Sequence, residues 1–177
     1  MPSLTIISGG QTGADRAALD FAIAHHIPHG GWCPRGRMAE DGPLDARYRL
    51  RETPSRQYAE RTEWNIRDSD ATVVFSMNRE VTGGTALTLI LARRLGKPVL
   101  HLIRDDDDAA AADLLSFLLK YQVKKLNVAG PRASQEPQIG EFVTCVLRAA
   151  LSERPRKGTK KHKKSDVPTV AGQSEIR

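Results

Sequence analysis

The sequence predicts an α/β fold, a doubly wound parallel sheet of about five strands with helices on both faces, and three observations carry that prediction. Short apolar runs alternate with longer amphipathic stretches over residues 4–151, as successive β-α-β units require. Two strand-to-helix junctions are glycine-rich, at residues 8–15 and 82–85. Hydrophobic residues make up 40% and charged residues 27% of the 177, the composition of a globular domain with a real core.

The elements follow in order. Leu4-Thr5-Ile6-Ile7-Ser8 is an apolar run ending in glycines, the mark of a buried parallel strand. A helix is expected over residues 13–25, with Ala17, Ala18, Phe21, Ala22 and Ile23 inward. His25 and His26 close it, where cations suit the helix dipole. A short strand is placed at Gly31-Trp32-Cys33. Residues 34–54, rich in Gly, Pro and charge, form a long loop, and loops of that length usually serve function. Ser55 is the expected N-cap of a helix running to about Asp68. Ala71-Thr72-Val73-Val74-Phe75-Ser76 is the next buried strand. A helix over residues 85–95 sets Leu87, Leu91 and Leu95 at helical spacing and stops at Gly96-Lys97-Pro98. A strand over residues 99–103 follows. Asp105 to Asp108 then make an acidic N-terminus for a helix over 109–121. Lys125-Leu126-Asn127-Val128-Ala129 is the fifth strand, and a last helix covers 140–151.

Composition excludes several classes. No run reaches the roughly 18 apolar residues of a membrane span. Met1-Pro2-Ser3-Leu4 lacks the regions of a signal peptide, so the expected location is cytoplasmic, with no membrane partner. Cys33 and Cys145 form neither a CxxC nor a zinc spacing. Cys145 reads as core filler; Cys33 reads as a buried structural thiol or as a ligand to a soft metal. The net charge of +6 is concentrated in residues 152–177, which hold eight Lys/Arg against three acids. This basic segment, with Lys160-Lys161-His162-Lys163-Lys164, is expected to be a disordered tail outside a ligand-binding domain of residues 1–151. It is either a plain solvated tail or a weak nucleic-acid contact.

Five segments carry candidate chemistry. Gly9, Gly10 and Gly13, with Gln11, Thr12 and Asp15, lie between a strand and a helix, where close backbone N–H groups and the helix dipole favour an anion. The pattern meets neither GxGxxG nor GK[ST]. Thr82, Gly83, Gly84 and Thr85 repeat the device at a second strand end, and strand carboxyl ends are where open α/β sheets bind ligands. Arg132 and Ser134 follow the fifth strand, where Arg132 is a charge-assisted contact to an oxyanion or a surface arginine. In the long loop, Trp32 is a stacking ring or core, Arg35 or Arg37 meets phosphate, and Glu40 and Asp41 are acid/base groups or a solvated face. Arg61 and Asn65, four apart on one helix face, aim at the cleft or hold the loop before it. No catalytic triad order and no histidine cluster is present, so no catalytic residue is named and the metal ligands are left open.

Taken together, Ser8-Gly9-Gly10-Gln11-Thr12-Gly13-Ala14-Asp15, Gly31-Trp32-Cys33-Pro34, Tyr58…Arg61-Thr62…Asn65…Ser69-Asp70, Thr82-Gly83-Gly84-Thr85 and Asn127-Val128-Ala129-Gly130-Pro131-Arg132 resemble the molybdenum carrier family. That family is a circularly permuted relative of the Rossmann-like group that includes the lysine-decarboxylase-like (LOG) phosphoribohydrolases and the DNA-processing protein A fold. The resemblance spans about residues 4–150. It implies a Rossmann-like domain, a homo-oligomer, and a binding or carrier role for molybdenum cofactor or a molybdate-like oxyanion. The enzyme relatives imply an alternative, a nucleotide or nucleotide-derivative binding protein or hydrolase. Their PGGxGTxxE motif is incomplete here, where Thr82-Gly83-Gly84-Thr85-Ala86-Leu87-Thr88-Leu89 lacks the proline, one glycine and the glutamate. Glu40, Asp41 or Glu80 is then the candidate substitute.

Overall fold

The computed structural model describes residues 4–151. The basic tail and the nucleic-acid contact expected of it lie outside the described residues.

The chain alternates strands and helices: β1 (Thr5–Ile7), α1 (Ala14–Ala24), β2 (His29–Gly30), β3 (Trp32–Cys33), β4 (Met38–Ala39), β5 (Gly42–Pro43), β6 (Arg51–Glu52), α2 (Tyr58–Arg67), β7 (Ala71–Ser76), α3 (Gly83–Arg94), β8 (Val99–Ile103), α4 (Asp107–Lys120), β9 (Lys125–Ala129) and α5 (Ile139–Leu151). Five strands form one sheet in the order β2-β1-β9-β7-β8, every pairing parallel. Counted from β7, the spatial order is 2-1-3-4-5, one of the common doubly wound arrangements begun at a different point in the chain. From β7 the chain steps outward to β8 and returns on the other side as β9. The crevice beyond the carboxyl ends of β7 and β9 is therefore the topological switch point.

Burial explains why β7 is central. All six of its residues are buried, as a parallel strand covered on both faces requires. Ala71, Val73 and Phe75 join the main core with Ile6, Leu126, Val128 and the inner faces of α1, α4 and α5. Phe75 meets Phe142 edge-on at 5.4 Å. Ile66, Leu91 and Ala92 make a separate cluster between α2 and α3, backed by Leu87 and Val99. Leu95, set at helical spacing with Leu87 and Leu91, is the exposed C-cap of α3. Among the described residues no helix is long and apolar enough to cross a membrane.

The structure corrects three local expectations. The strand expected at residues 31–33 exists as β3, but it pairs with β6 in a separate two-stranded sheet; the fifth strand of the main sheet is β2. The break falls at Gly31, whose φ is +135° and where a Cβ would stand 2.2 Å from the Ser8 carbonyl oxygen. Residues 34–54 are not a structureless loop. They hold the β4–β5 hairpin and β6, and Ala39, Leu44, Tyr48 and Leu50 form a small core with Leu19 of α1 and Cys33. The Arg37 guanidinium binds the excursion from inside, donating to the carbonyls of Leu44, Leu50, Asp45 and Tyr48. Finally, α2 starts at Tyr58 with Gln57 as N-cap, not at Ser55. Ser55 accepts from the Gln57 N–H through Oγ, and its own N–H donates to Glu60.

Candidate functional site

A cleft of about 310 Å³ opens at the switch point, at the low end of the size range of small-molecule sites. Its floor is the end of β9, from Asn127 to Gly130. One wall is α2 with Tyr58, Arg61, Thr62 and Asn65. Another is the first turn of α3 with Gly83, Gly84, Thr85 and Thr88. Gln11 and Asp15 reach it from the first glycine turn, and Arg132 and Gln135 from the turn after β9.

The two glycine turns play different parts. At the second, a Cβ on Gly83 or Gly84 would meet nothing within 4 Å. Thr82, the N-cap of α3, makes no side-chain cap. The first-turn N–H groups of this twelve-residue helix thus face the cleft as free donors at the positive end of the dipole. The glycines of the first turn are packed. A Cβ on Gly9 would sit 1.4 Å from Arg61 Nη1, one on Gly10 would strike Leu50 and Leu44 at 2.7 and 2.8 Å, and one on Gly13 would strike the Pro131 oxygen at 2.4 Å. Ala14 N–H at the start of α1 already donates to that same oxygen.

Arg61 is the cation at the heart of the cleft. Its Nη1 donates to Asp15 Oδ2 at 2.8 Å, with side-chain exposures of 13% and 4%. Two buried donors, Arg61 Nε and Gln11 Nε2, have no hydrogen-bond partner among the described residues. Buried unpaired donors are costly, so a cleft lined by two of them is complementary to acceptor atoms. The Tyr58 ring lies 5.8 Å from the Arg61 guanidinium and 5.0 Å from that of Arg132. The donor set therefore fits an oxyanion or a phosphate. It does not fit a bare metal cation, because among the described residues no group of three His, Cys, Asp or Glu could hold one.

Glu40 closes the rim. Its carboxylate accepts from the hydroxyls of Thr12 and Ser134 and lies 4.0 Å from Arg132 Nη1. The two hydroxyls, Ser134 first, hold it below the usual carboxylate range. Thr12 Oγ1 in turn accepts from Ala133 N–H. Asp41 forms a bidentate pair with Arg16 at 3.0 Å, which lowers its pKa.

Of the residues expected at the site, Gln11, Asp15, Arg61, Asn65, Gly83, Gly84, Thr85 and Arg132 line the cleft. Gly9, Gly10, Thr12, Gly13, Thr82 and Ser134 are not part of that lining. Trp32 does not reach it: its Nε1–H donates to Asp68, its ring meets Trp64 edge-on, and Arg51 stacks over it at 4.1 Å. Arg35 is exposed, with only its backbone N–H engaged, to Ser55. Cys33 is fully buried, donates to the Arg51 carbonyl, and is pushed up by burial, as a structural thiol would be. Glu40, Asp41 and Glu80 do not line the cleft. Tyr58, Thr88 and Gln135 do, though none of the three was named from the sequence as a site residue.

A profile of the circularly permutated YpsA SLOG family matches residues 6–151. A crystal structure named "Putative molybdenum carrier protein", from Syntrophus aciditrophicus SB, is 46% identical and superposes with a TM-score of 0.83 over 85% of this chain and 97% of that one. No curated protein matches the chain.

Proposed function

The chain belongs to the circularly permutated YpsA SLOG family, and from that premise we propose that it is a binding or carrier protein whose switch-point cleft holds a small anionic ligand. Within that class, molybdenum cofactor or a molybdate-like oxyanion is the ligand suggested by the name of the similar crystal structure. One observation carries the reading: Gln11 and Arg61, each with a buried donor that has no partner among the described residues (Nε2 and Nε), line the same cavity as the uncapped first turn of α3. Amide donors at a helix N-terminus suit phosphate and tetrahedral oxyanions alike. Molybdenum cofactor carries a phosphate and a planar pterin, and would supply the metal's chemistry itself. The chain's own residues would bind and orient it: Gly83, Gly84 and Thr85 at the phosphate, Gln11 and Arg61 along the wall, and Arg132 at the rim.

Calorimetric titration of the purified chain with molybdenum cofactor, molybdate and inorganic phosphate tests this. Saturable binding of at least one ligand is expected, weakened by Arg61→Met. No binding of any of them removes the proposal. A homo-oligomer, which the family resemblance implies, is read in the same preparation by light scattering.

A further inference from the structure

Asp15 puts a negative charge where an anion site would be expected to have none. The residue is 3% exposed and lines the cleft. Its Oδ2 is occupied, accepting from Arg61 Nη1 at 2.8 Å and from Gln11 N–H at 3.3 Å. Its Oδ1 accepts no hydrogen bond from any described residue. On the same lining stand Gln11, 5% exposed with Nε2 unpartnered, and Arg61 with Nε unpartnered. Donors and an acceptor, all buried, thus face one cavity.

An ionised carboxylate only accepts hydrogen bonds. A ligand that places another pure acceptor against Oδ1 sets like charge on like inside a poorly solvated wall, which is how a site rejects the wrong ligand. Molybdate and sulfate are of that kind, since at neutral pH none of their oxygens carries a proton. A hydrogen phosphate, a protonated phosphate ester or a ring N–H carries one and satisfies the carboxylate.

We infer that Asp15 makes the cleft selective for ligands bearing a hydrogen-bond donor, admitting hydrogen phosphates and N–H-bearing heterocycles and excluding bare tetrahedral dianions. This rests on the reading of the cleft as an anion site and narrows it. Of the two molybdenum-bearing ligands, the pterin cofactor, which carries ring N–H groups, fits; free molybdate does not. Gln11 Nε2 and Arg61 Nε supply donors to the acceptor atoms of the same ligand, so the wall reads a mixed donor-and-acceptor edge.

The full chain is titrated calorimetrically at pH 6.5 with inorganic phosphate, sulfate and molybdate, and the series is repeated with Asp15→Asn. Phosphate is expected to bind at least roughly tenfold more tightly than the other two, because a site built around an O–H or N–H rejects analogues lacking it. In Asp15→Asn the amide can donate, so sulfate and molybdate gain and the preference collapses to within about threefold. Equal affinities for the three anions in the wild-type protein overturn the role of Asp15 and leave the anion cleft standing. Failure of all three to bind either protein overturns this inference, and the cleft reading falls with it only if molybdenum cofactor also fails to bind. If the variant does not fold, the wild-type ranking decides.

Discussion

Asn65 pairs with the backbone of Trp32 through both ends of its carboxamide: Oδ1 accepts from Trp32 N–H at 2.7 Å, and Nδ2 donates to the Trp32 carbonyl at 2.9 Å. A side chain on α2 thus replaces the strand neighbour that Trp32 lost when the chain left the main sheet at Gly31. The same residue lines the cleft. Asn65→Leu keeps the volume and strands both backbone groups. It is expected to cost about 2–3 kcal/mol, read from the urea midpoint. A loss under about 0.5 kcal/mol would show that this pairing is dispensable.

The contrast between the two glycine turns predicts opposite results for one substitution. Gly9→Ala puts a methyl where the Arg61 guanidinium lies. It must displace Arg61 from Asp15, and separating a buried ion pair costs up to about 3–5 kcal/mol. Gly84→Ala meets no atom of the chain and has an ordinary helical backbone. It should leave stability unchanged or raise it by about 0.4–1 kcal/mol, yet weaken anion binding if the ligand approaches that backbone. Thermal unfolding and titration of both variants check the pair. Equal stability losses in the two would contradict the packing described.

Arg37 organises residues 34–54 by donating to four carbonyls while keeping φ at 53°. Lysine cannot fork in this way. Arg37→Lys should lower stability by on the order of 2 kcal/mol and expose the excursion to limited proteolysis, with first cuts inside residues 34–54. Digestion that begins elsewhere would argue against the arginine as its organiser.

His101 gives a pH signature. The Ser76 hydroxyl has one proton and donates it to the Asn78 carbonyl at 2.6 Å, so the 2.7 Å contact to His101 Nε2 is a donation from the imidazole N–H. Burial, and then the charges of Arg93 and Arg79, push His101 below its ordinary 6.5. The unfolded chain therefore takes up this proton first. The stability His101 confers is full above pH 6.5 and is lost as pH falls through its lower folded value. Unfolding free energies of wild type and His101→Gln should run parallel above pH 6.5 and converge below it. Convergence above 6.5 instead would mean that the shift has the other sign.

How far all this was legible in the sequence depends on what each segment buries. β1, β7 and β9 announce themselves because a strand between two neighbours is largely apolar, and β8, though a half-buried edge strand, is a run of large apolar residues broken only by His101. β2 gives no such signal, since His29 and Gly30 are half-buried at the sheet edge. Residues 34–54 hide a small core because Leu44, Tyr48 and Leu50 are spaced by charged and turn residues, which masks any period. Both glycine turns border the cleft, but their sequence does not say which backbone is packed and which is open. Gly9, Gly10 and Gly13 are there for close packing, and Gly83 and Gly84 for access, a distinction only the fold makes. Trp32 looked like a stacking ring because nothing in its neighbours shows that Asp68, 36 residues on, takes its N–H.

The order of strands along the chain has a consequence for assembly. β9 lies between β1 and β7, yet it follows both in sequence, and its register joins Ile6 to Leu126 and Val73 to Val128. Before residues 125–129 are made, the pairs β1–β2 and β7–β8 each lack the neighbour that β9 supplies in the folded sheet. Only when residues 125–129 emerge can one strand fill both gaps. The same strand forms the floor of the cleft, so the cavity is complete only once β9 has joined the two halves.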